Sequence, residues 1–539
     1  MDSSPSISSG SSNALQRGKA CTHCRRRKMR CDGVRPVCNQ CANANKHDEC
    51  AYTDVSTRSR TQILEENIAL LQARIQELEN PGSTSSGSPQ SSLSGPERID
   101  ELPANISRQL LDAFFDHSSQ LGWFLNTARF RHALSLPEGH TGRPISALAN
   151  TVYLFGAANM RRITGIDAPI DTGLYLSRAL SDLGHALDVL PSHRAVQVIQ
   201  TRVLLALYHF IIGKFAEGRH HSDAAASLVL SSGLHKIRST QPSQNVLSFV
   251  EIIALTLPAP LDQIEEGERI NAMWTAFTIC RCWGVAFGAP TLLSDSEALG
   301  TQIDTPWPLD METYERGPIF PHFRTNSTLR NFLAGTNDNW PWENHSLLAQ
   351  MAGAAALFDR ATYLASRWHP DTPNIEAFYA DFTSVDSRID EFQSQLYSLQ
   401  NLADVDSDIV RTMHVIHCLT SAASIQLHSA LEQVNVESRN KCLMAAEAIV
   451  QANNSVRAHE FLIINPVLGV LWGAACQVFI RELVFMRANP AGDMTPRPER
   501  EAEVRAAVMQ LQAVMAVFAP ACAFTNVQLQ RVQRELQGL

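Results

Sequence analysis

Residues 21–50 read CTHCRRRKMRCDGVRPVCNQCANANKHDEC, with six cysteines spaced C-x2-C-x6-C-x6-C-x2-C-x8-C. The first eleven residues alone leave three uses open: a metal site, a redox site, or a nuclear-import tag. Five of the six residues between Cys24 and Cys31 are basic. The next twenty residues favour metal. Two C-x2-C pairs, each with a third cysteine downstream, make two similar halves, and such a pair brings two thiolates to one ion from a tight turn. Six thiolates do not fill the eight positions of two tetrahedral zinc ions, so two of them must serve both. An iron–sulfur cluster is another use of cysteines, but this pairing fits zinc better. Metal-bound thiolates are occupied, which weighs against redox sensing. With six cysteines present, His23 is expected to be exposed and not a substitute ligand. Residues 20–54 have too few apolar side chains for a core of their own. Structural zinc is worth on the order of 10 kcal/mol in such peptides, so this segment is expected to be unfolded without metal.

On these residues the segment resembles the fungal binuclear zinc cluster, or Zn₂Cys₆, DNA-binding domain, and every spacing fits. The resemblance implies two zinc ions per chain. Cys21 and Cys38 would bridge them, Cys24 and Cys31 would complete one site, and Cys41 and Cys50 the other. It also places Pro36 in a loop where the family proline is often cis, a form suited to tight connections. Between Cys24 and Cys31 it implies a short helix whose end enters the major groove. Arg27 and Lys28 stand where the family reads bases of a CGG triplet, through donors to guanine O6 and N7. Arg25, Arg26 and Arg30 are then phosphate contacts, which position without specifying.

Charge is unevenly placed. Residues 1–60 hold eleven Lys/Arg and five Asp/Glu, a net +6, whereas the chain as a whole is −9. A basic head on an acidic body points to a polyanion partner for the head alone. The Ser-rich start has no apolar run, so no signal peptide is expected, and with it no disulfide framework. The uncharged stretch Phe461–Ile480 is about long enough to span a bilayer, but Asn465, Pro466 and Gln477 favour a buried core helix.

In QILEENIALLQARIQELEN, residues 62–80, Leu64, Ile68, Leu71, Ile75 and Leu78 recur in steps of four and three, the seam of a coiled coil. Leucine at d with isoleucine at a favours a parallel dimer. The g-to-e pairs Arg60–Glu65 and Arg74–Glu79 attract, and Asn67–Gln72 is neutral. Two zinc modules on one zipper would read two half-sites. The other use of this stretch is an amphipathic helix packed on the large domain.

The expected layout is a disordered tail at 1–16, the Zn₂Cys₆ domain at 17–54, a linker at 55–62, the dimerisation element at 63–80, a Ser/Gly/Pro linker at 81–98 and an all-α domain of ten or more helices at 99–539. Ile199, Val203, Ala206, Leu207 and Phe210 share one helical face. Longer helices are expected at Arg269–Ala286 and Lys441–Val456, with Gly288–Asn344 broken by Pro and Gly. The segments ERINAMWTAFTICRCWGVAFGAPTLLSD (268–295) and SSGLHKI (231–237) resemble the regulatory domain that follows binuclear clusters in fungal transcription factors. Arg269, Trp274, Arg281, Gly288 and Pro290 are structural residues on that resemblance. No G-x-G-x-x-G, P-loop, G-x-S-x-G or H-E-x-x-H occurs, and no catalytic or cofactor-binding residue is assigned. His220–His221 is expected in a solvated turn. Cys280 and Cys282 are expected to point apart on a helix. Trp307–Pro308 and Trp340–Trp342 are expected to be loop packed on the core.

These readings describe a zinc-dependent nuclear transcription factor of RNA polymerase II genes that binds CGG-type half-sites as a homodimer. Its partners would be double-stranded DNA, a second copy of itself and transcriptional co-regulators, with no membrane. The leading alternative is a metabolite-binding or enzymatic helical protein tethered to chromatin by its zinc module. A third reading is a zinc-dependent protein-interaction module that never touches DNA.

Overall fold

A computed structural model describes residues 20–52 and 104–539, apart from 48, 51, 138, 165–170, 187–193, 241–256, 318–322, 337–344, 401, 403–404, 462 and 490–496. The zipper seam Leu64–Leu78, the two linkers, the N-terminal tail and Trp340–Trp342 lie outside the described residues. The chain divides into two compact units, 1–98 and 99–539, each taken by itself.

Among the described residues the first unit contains two one-turn helices, α1 (Thr22–Arg26) and α2 (Asn39–Asn43). Its buried apolar cluster consists of the six cysteines, with Ala20, Val37 and Tyr52 packed against them.

The second unit is helical, with no strand among the described residues. A lone bridge joins Ser239 to Thr325. Its helices are α3 (Ala104–Phe115), α4 (Thr127–Leu134), α5 (Ser146–Thr164), α6 (Thr172–Ala186), α7 (Ala195–Ile211), α8 (Phe215–Ser231), α9 (Gln263–Phe287), α10 (Met311–Arg316), α11 (Thr328–Leu333), α12 (Leu347–Ser366), α13 (Ile375–Ser394), α14 (Ser407–Ser429), α15 (Val436–Ser455), α16 (Leu468–Ala488), α17 (Arg497–Phe518) and α18 (Ala523–Gln537).

α9 is the axis of this unit. The Asp262 carboxylate accepts the Glu265 amide at 2.9 Å and starts the helix; Glu265 and Glu266 then meet the positive end of its dipole. Gly288 ends it at φ +61°, a conformation glycine adopts without a Cβ clash. α9 packs on α7, α8 and α12. α12 packs on α14, and α14 on α15 and α16. The alanine-rich run of α12 (MAGAAAL) lets α9 and α14 approach closely. Trp274 is fully buried on α9, stacks on Trp307 at 4.2 Å and donates its indole N–H to the Pro306 carbonyl at 2.7 Å. Trp307 is therefore core-packed, as expected. At Gly156 of α5 the helices close so tightly on α3 that a Cβ would lie 2.2 Å from the Leu110 carbonyl oxygen.

α7 buries the five residues expected on one face and nearly all its others. α9 begins six residues before the expected Arg269, at its Asp cap, and α15 five residues before Lys441. Helix α16 starts only at Leu468, beyond Pro466. By length and composition it could cross a membrane, but 67% of its most apolar window is buried within the protein. The expectation for His220–His221 is corrected. Both lie on α8, and His221 is buried, stacked on His209 at 5.1 Å with Arg202 at 3.0 Å from its Nδ1. Burial drives its pKa down to about 3, so it packs as a neutral ring. Cys280 and Cys282 do diverge: Cys280 Sγ lies 3.2 Å from Ser222 Oγ, and Cys282 faces a cavity toward α12.

Arg269 donates to Glu265 at 2.6 Å and to the Pro258 carbonyl at 2.7 Å. Arg281 pairs with Asp359 of α12 and donates to the Leu293 carbonyl at 2.5 Å. It thereby locks the turn after α9 to its neighbour. The Pro290 carbonyl in that turn accepts from Arg219 at 2.9 Å.

Candidate metal centre and nucleic-acid interface

The two halves of the first unit share one backbone plan, offset by 17 residues. Cys21 caps α1, and its Sγ accepts the Cys24 amide at 3.4 Å; Cys38 caps α2, and its Sγ accepts the Cys41 amide at 3.4 Å. Each helix ends in a left-handed residue, Lys28 (φ 53°) and Asn45 (φ 55°). The next amide then reaches back, Met29 to Cys24 at 2.9 Å and Lys46 to Cys41 at 2.8 Å. This closure satisfies the last carbonyls of a helix too short to hold itself.

The closures bring the thiols together. Cys21 Sγ lies 3.8 Å from both Cys38 Sγ and Cys41 Sγ, and Cys24 Sγ lies 3.7 Å from Cys38 Sγ and 3.9 Å from Cys41 Sγ. Cys31 joins Cys38 and the Asp32 carboxylate in a second group, and Cys50 Sγ accepts the Cys38 amide at 3.3 Å. Tetrahedral zinc with Zn–S near ~2.3 Å requires sulfurs ~3.8 Å apart, so the donor set fits. The tightest quartet, Cys21, Cys24, Cys38 and Cys41, is neither of the quartets implied by the resemblance, but it contains both residues those quartets share. Burial raises the Cys24, Cys41 and Cys50 thiols. At Cys21 and Cys38 burial acts the same way but is outweighed by the amide each sulfur accepts and by neighbouring thiols, so both are lowered. Several thiolates at this density need a bound cation.

Asp32 has a structural use beside the cluster: its carboxylate accepts the Asn39 amide at 3.1 Å, at the positive end of α2. The Arg35–Pro36 bond is cis. Tyr52 covers Cys31, with its hydroxyl 3.9 Å from that sulfur and donating to the Val34 carbonyl at 2.9 Å, while the Arg35 guanidinium lies over its ring.

His23 is only 3% exposed, which corrects the expectation of an exposed ring. It faces away from ligand duty, with Nδ1 2.9 Å from Glu49 Oε2. Glu49 also binds Arg26 at 2.8 Å and Lys46 at 3.0 Å, and so ties the two halves together. Lys46 first, then His23, hold its carboxyl at about 2. Nothing in the spacing pointed to Glu49; its role exists only once residues 23 and 49 are folded together.

Arg25, Arg26, Arg27, Lys28 and Arg30 are all exposed on or just past α1. Arg26 pairs with Glu49. Arg25 donates to the Ala20 carbonyl at 3.3 Å. The helix end thus presents exposed basic side chains beside the thiol cluster, and Lys28 stands at its turning point.

The fungal Zn(2)-Cys(6) binuclear cluster domain matches residues 19–59, and the fungal specific transcription factor domain matches residues 111–402. The second match covers more than half of the chain, and the chain belongs to this family of fungal transcription factors. Its cysteine cluster is a zinc-binding site. A relative, the transcriptional activator protein acu-15 of Neurospora crassa, is 42% identical over 77 residues, 13% of this chain and 8% of that protein. The match therefore spans less than a tenth of the relative's length. No solved structure matches the chain.

Proposed function

We propose that this protein is a sequence-specific, zinc-dependent regulator of RNA polymerase II genes that acts in the nucleus and binds CGG-type half-sites as a homodimer. The observation that carries the reading is the exposed basic run Arg25–Arg30 projecting from a buried six-thiol cluster of zinc-like spacing. Two zinc ions, when bound, would neutralise the thiolates and fix the two halves; Cys21, Cys24, Cys31, Cys38, Cys41 and Cys50 would hold them, with Cys21 and Cys38 shared between the two sites. Arg27 and Lys28 read guanines, and Arg25, Arg26 and Arg30 meet phosphates, with Arg26 shared between phosphate and Glu49. Leu64, Ile68, Leu71, Ile75 and Leu78 form the dimer seam. The helical unit passes regulation to co-regulators and carries no enzymatic role.

The test is selection of DNA from a random pool by the zinc-loaded full-length protein, with zinc per chain measured on the same sample. Enrichment of paired CGG triplets at one spacing, with two zinc ions per chain, is expected. A single CGG would remove the zipper dimer. No enrichment with zinc retained would overturn sequence-specific regulation.

A further inference from the structure

A cleft of about 550 Å³ opens in the second unit between α5, α7 and the turn that joins α17 to α18. Its apolar walls include Phe155 and Ile211, and Thr172 and Tyr208 add hydroxyl groups. Two arginines, Arg161 and Arg162, line it, and no Asp or Glu does among the described residues. Arg162 is part-buried and donates to the Ala521 carbonyl at 2.6 Å. Among the described residues it meets no carboxylate, whereas Arg238, Arg269 and Arg388 of the same unit each pair with one. Asp171, one residue before Thr172, is exposed and accepts the Gly173 amide at 2.8 Å instead. A guanidinium carries five N–H donors. One goes to Ala521, and no other nitrogen of Arg162 is shut off from solvent. Burial pulls its pKa down, because it strips hydration that no neighbouring carboxylate replaces.

We infer that this cleft binds a small organic carboxylate with an apolar body, the carboxylate on Arg162 and the body against Phe155 and Ile211. The volume lies within the range of about 300–1,000 Å³ usual for ligand pockets. Arginine takes a carboxylate through two parallel N–H bonds, and such charge-assisted bonds are stronger than neutral ones. A partly desolvated cation without a counter-charge favours an anion over a neutral molecule of equal shape. The apolar wall favours a hydrocarbon body over a small inorganic anion. Such an occupant would bridge α5, α7 and the turn before α18. The inference rests on no residue of the zinc module, so it stands or falls apart from the DNA reading.

Full-length zinc-loaded protein is titrated at neutral pH and fixed salt with 2-naphthoate and with 2-naphthamide, a neutral molecule of the same shape. Dissociation constants are read by ligand-observed NMR. The carboxylate is expected to bind at least about tenfold tighter, the worth of a charge-assisted hydrogen bond. Arg162→Met should erase that preference by weakening the carboxylate alone. Ala158→Phe, which places a ring in the cleft, should weaken both probes. Equal affinity of the wild-type protein for the two probes, or no binding of 2-naphthoate at millimolar concentration, overturns the site. A preference that survives in a folded Arg162→Met variant puts the anion elsewhere, on the basic zinc module for one, and overturns it too. So does a folded Ala158→Phe variant that binds both probes as before. Should Arg162→Met fail to fold, Ala158→Phe decides, since an anion held elsewhere would keep its affinity there.

Discussion

Replacing Lys28 by glycine and, separately, by alanine separates what its backbone does from what its ammonium does. Lys28 sits at φ 53°, where an L-residue is strained by about 1–2 kcal/mol. Alanine keeps that strain. Glycine relieves it but adds about 0.5–1 kcal/mol of chain entropy to the unfolded state. The balance leaves Lys28→Gly about 0.5–1 kcal/mol more stable than Lys28→Ala. Folding and metal binding are expected to be coupled in so small a module, so the difference should appear as zinc retention. The chelator concentration releasing half of the zinc should be about two- to fivefold higher for glycine. DNA binding should behave otherwise. On the proposed reading both variants lose the same donor to guanine, worth about 1–3 kcal/mol, so affinity for a CGG site should fall about 5- to 150-fold in each. The paired readings are zinc release against a competing chelator and fluorescence anisotropy on a labelled CGG duplex at fixed salt. Easier zinc loss in Lys28→Gly than in Lys28→Ala refutes the backbone argument. Unchanged affinity in either variant refutes the base-reading one.

Three further outcomes are expected in the helical unit. Glu268 accepts the Asn126 amide at 2.8 Å, and burial raises its carboxyl to about 7. An acid raised in the folded state holds a proton the unfolded chain has released, so it erodes stability as pH rises from about 4.5 to 7, with no further loss above that. Glu268→Gln should therefore stabilise by about 2–3 kcal/mol at pH 8 and by little at pH 5; equal melting shifts at both pH values would exclude this. Arg281→Met leaves Asp359 and the Leu293 carbonyl without their donor and should lower stability by about 3 kcal/mol, read as a lower denaturant midpoint at constant m-value. Gly156→Ala should cost at least about 2 kcal/mol, because its Cβ would meet the backbone of α3 and no side chain there can yield; a melting temperature within a degree of wild type would contradict the packing.

The zinc module was legible because its information is local: cysteine spacing sets which thiols can meet, and the basic run lies between two of them. Helical character was equally legible in the large unit, where period and caps are short-range signals. What escaped the sequence depends on distant partners. His23 is buried only because Glu49, 26 residues on, accepts its ring. His221 reads as polar in sequence, yet the stack on His209 and the packing of α8 against α7 and α9 bury it. The carboxylate for Arg281 comes from α12, 78 residues away, and not from a neighbour on α9.

The 17-residue repeat has a consequence of its own. Two copies of one backbone unit stand side by side, but the copies have diverged in charge: Arg25, Arg26, Arg27 and Lys28 face Ala42, Asn43, Ala44 and Asn45 at the equivalent places. The local backbone geometry is repeated, and the charge on it is not. Only the first copy therefore offers a cationic helix end to a polyanion. Moving the sequence RRRK into the second copy would create a module with two competing faces, in which the direction of docking is no longer defined.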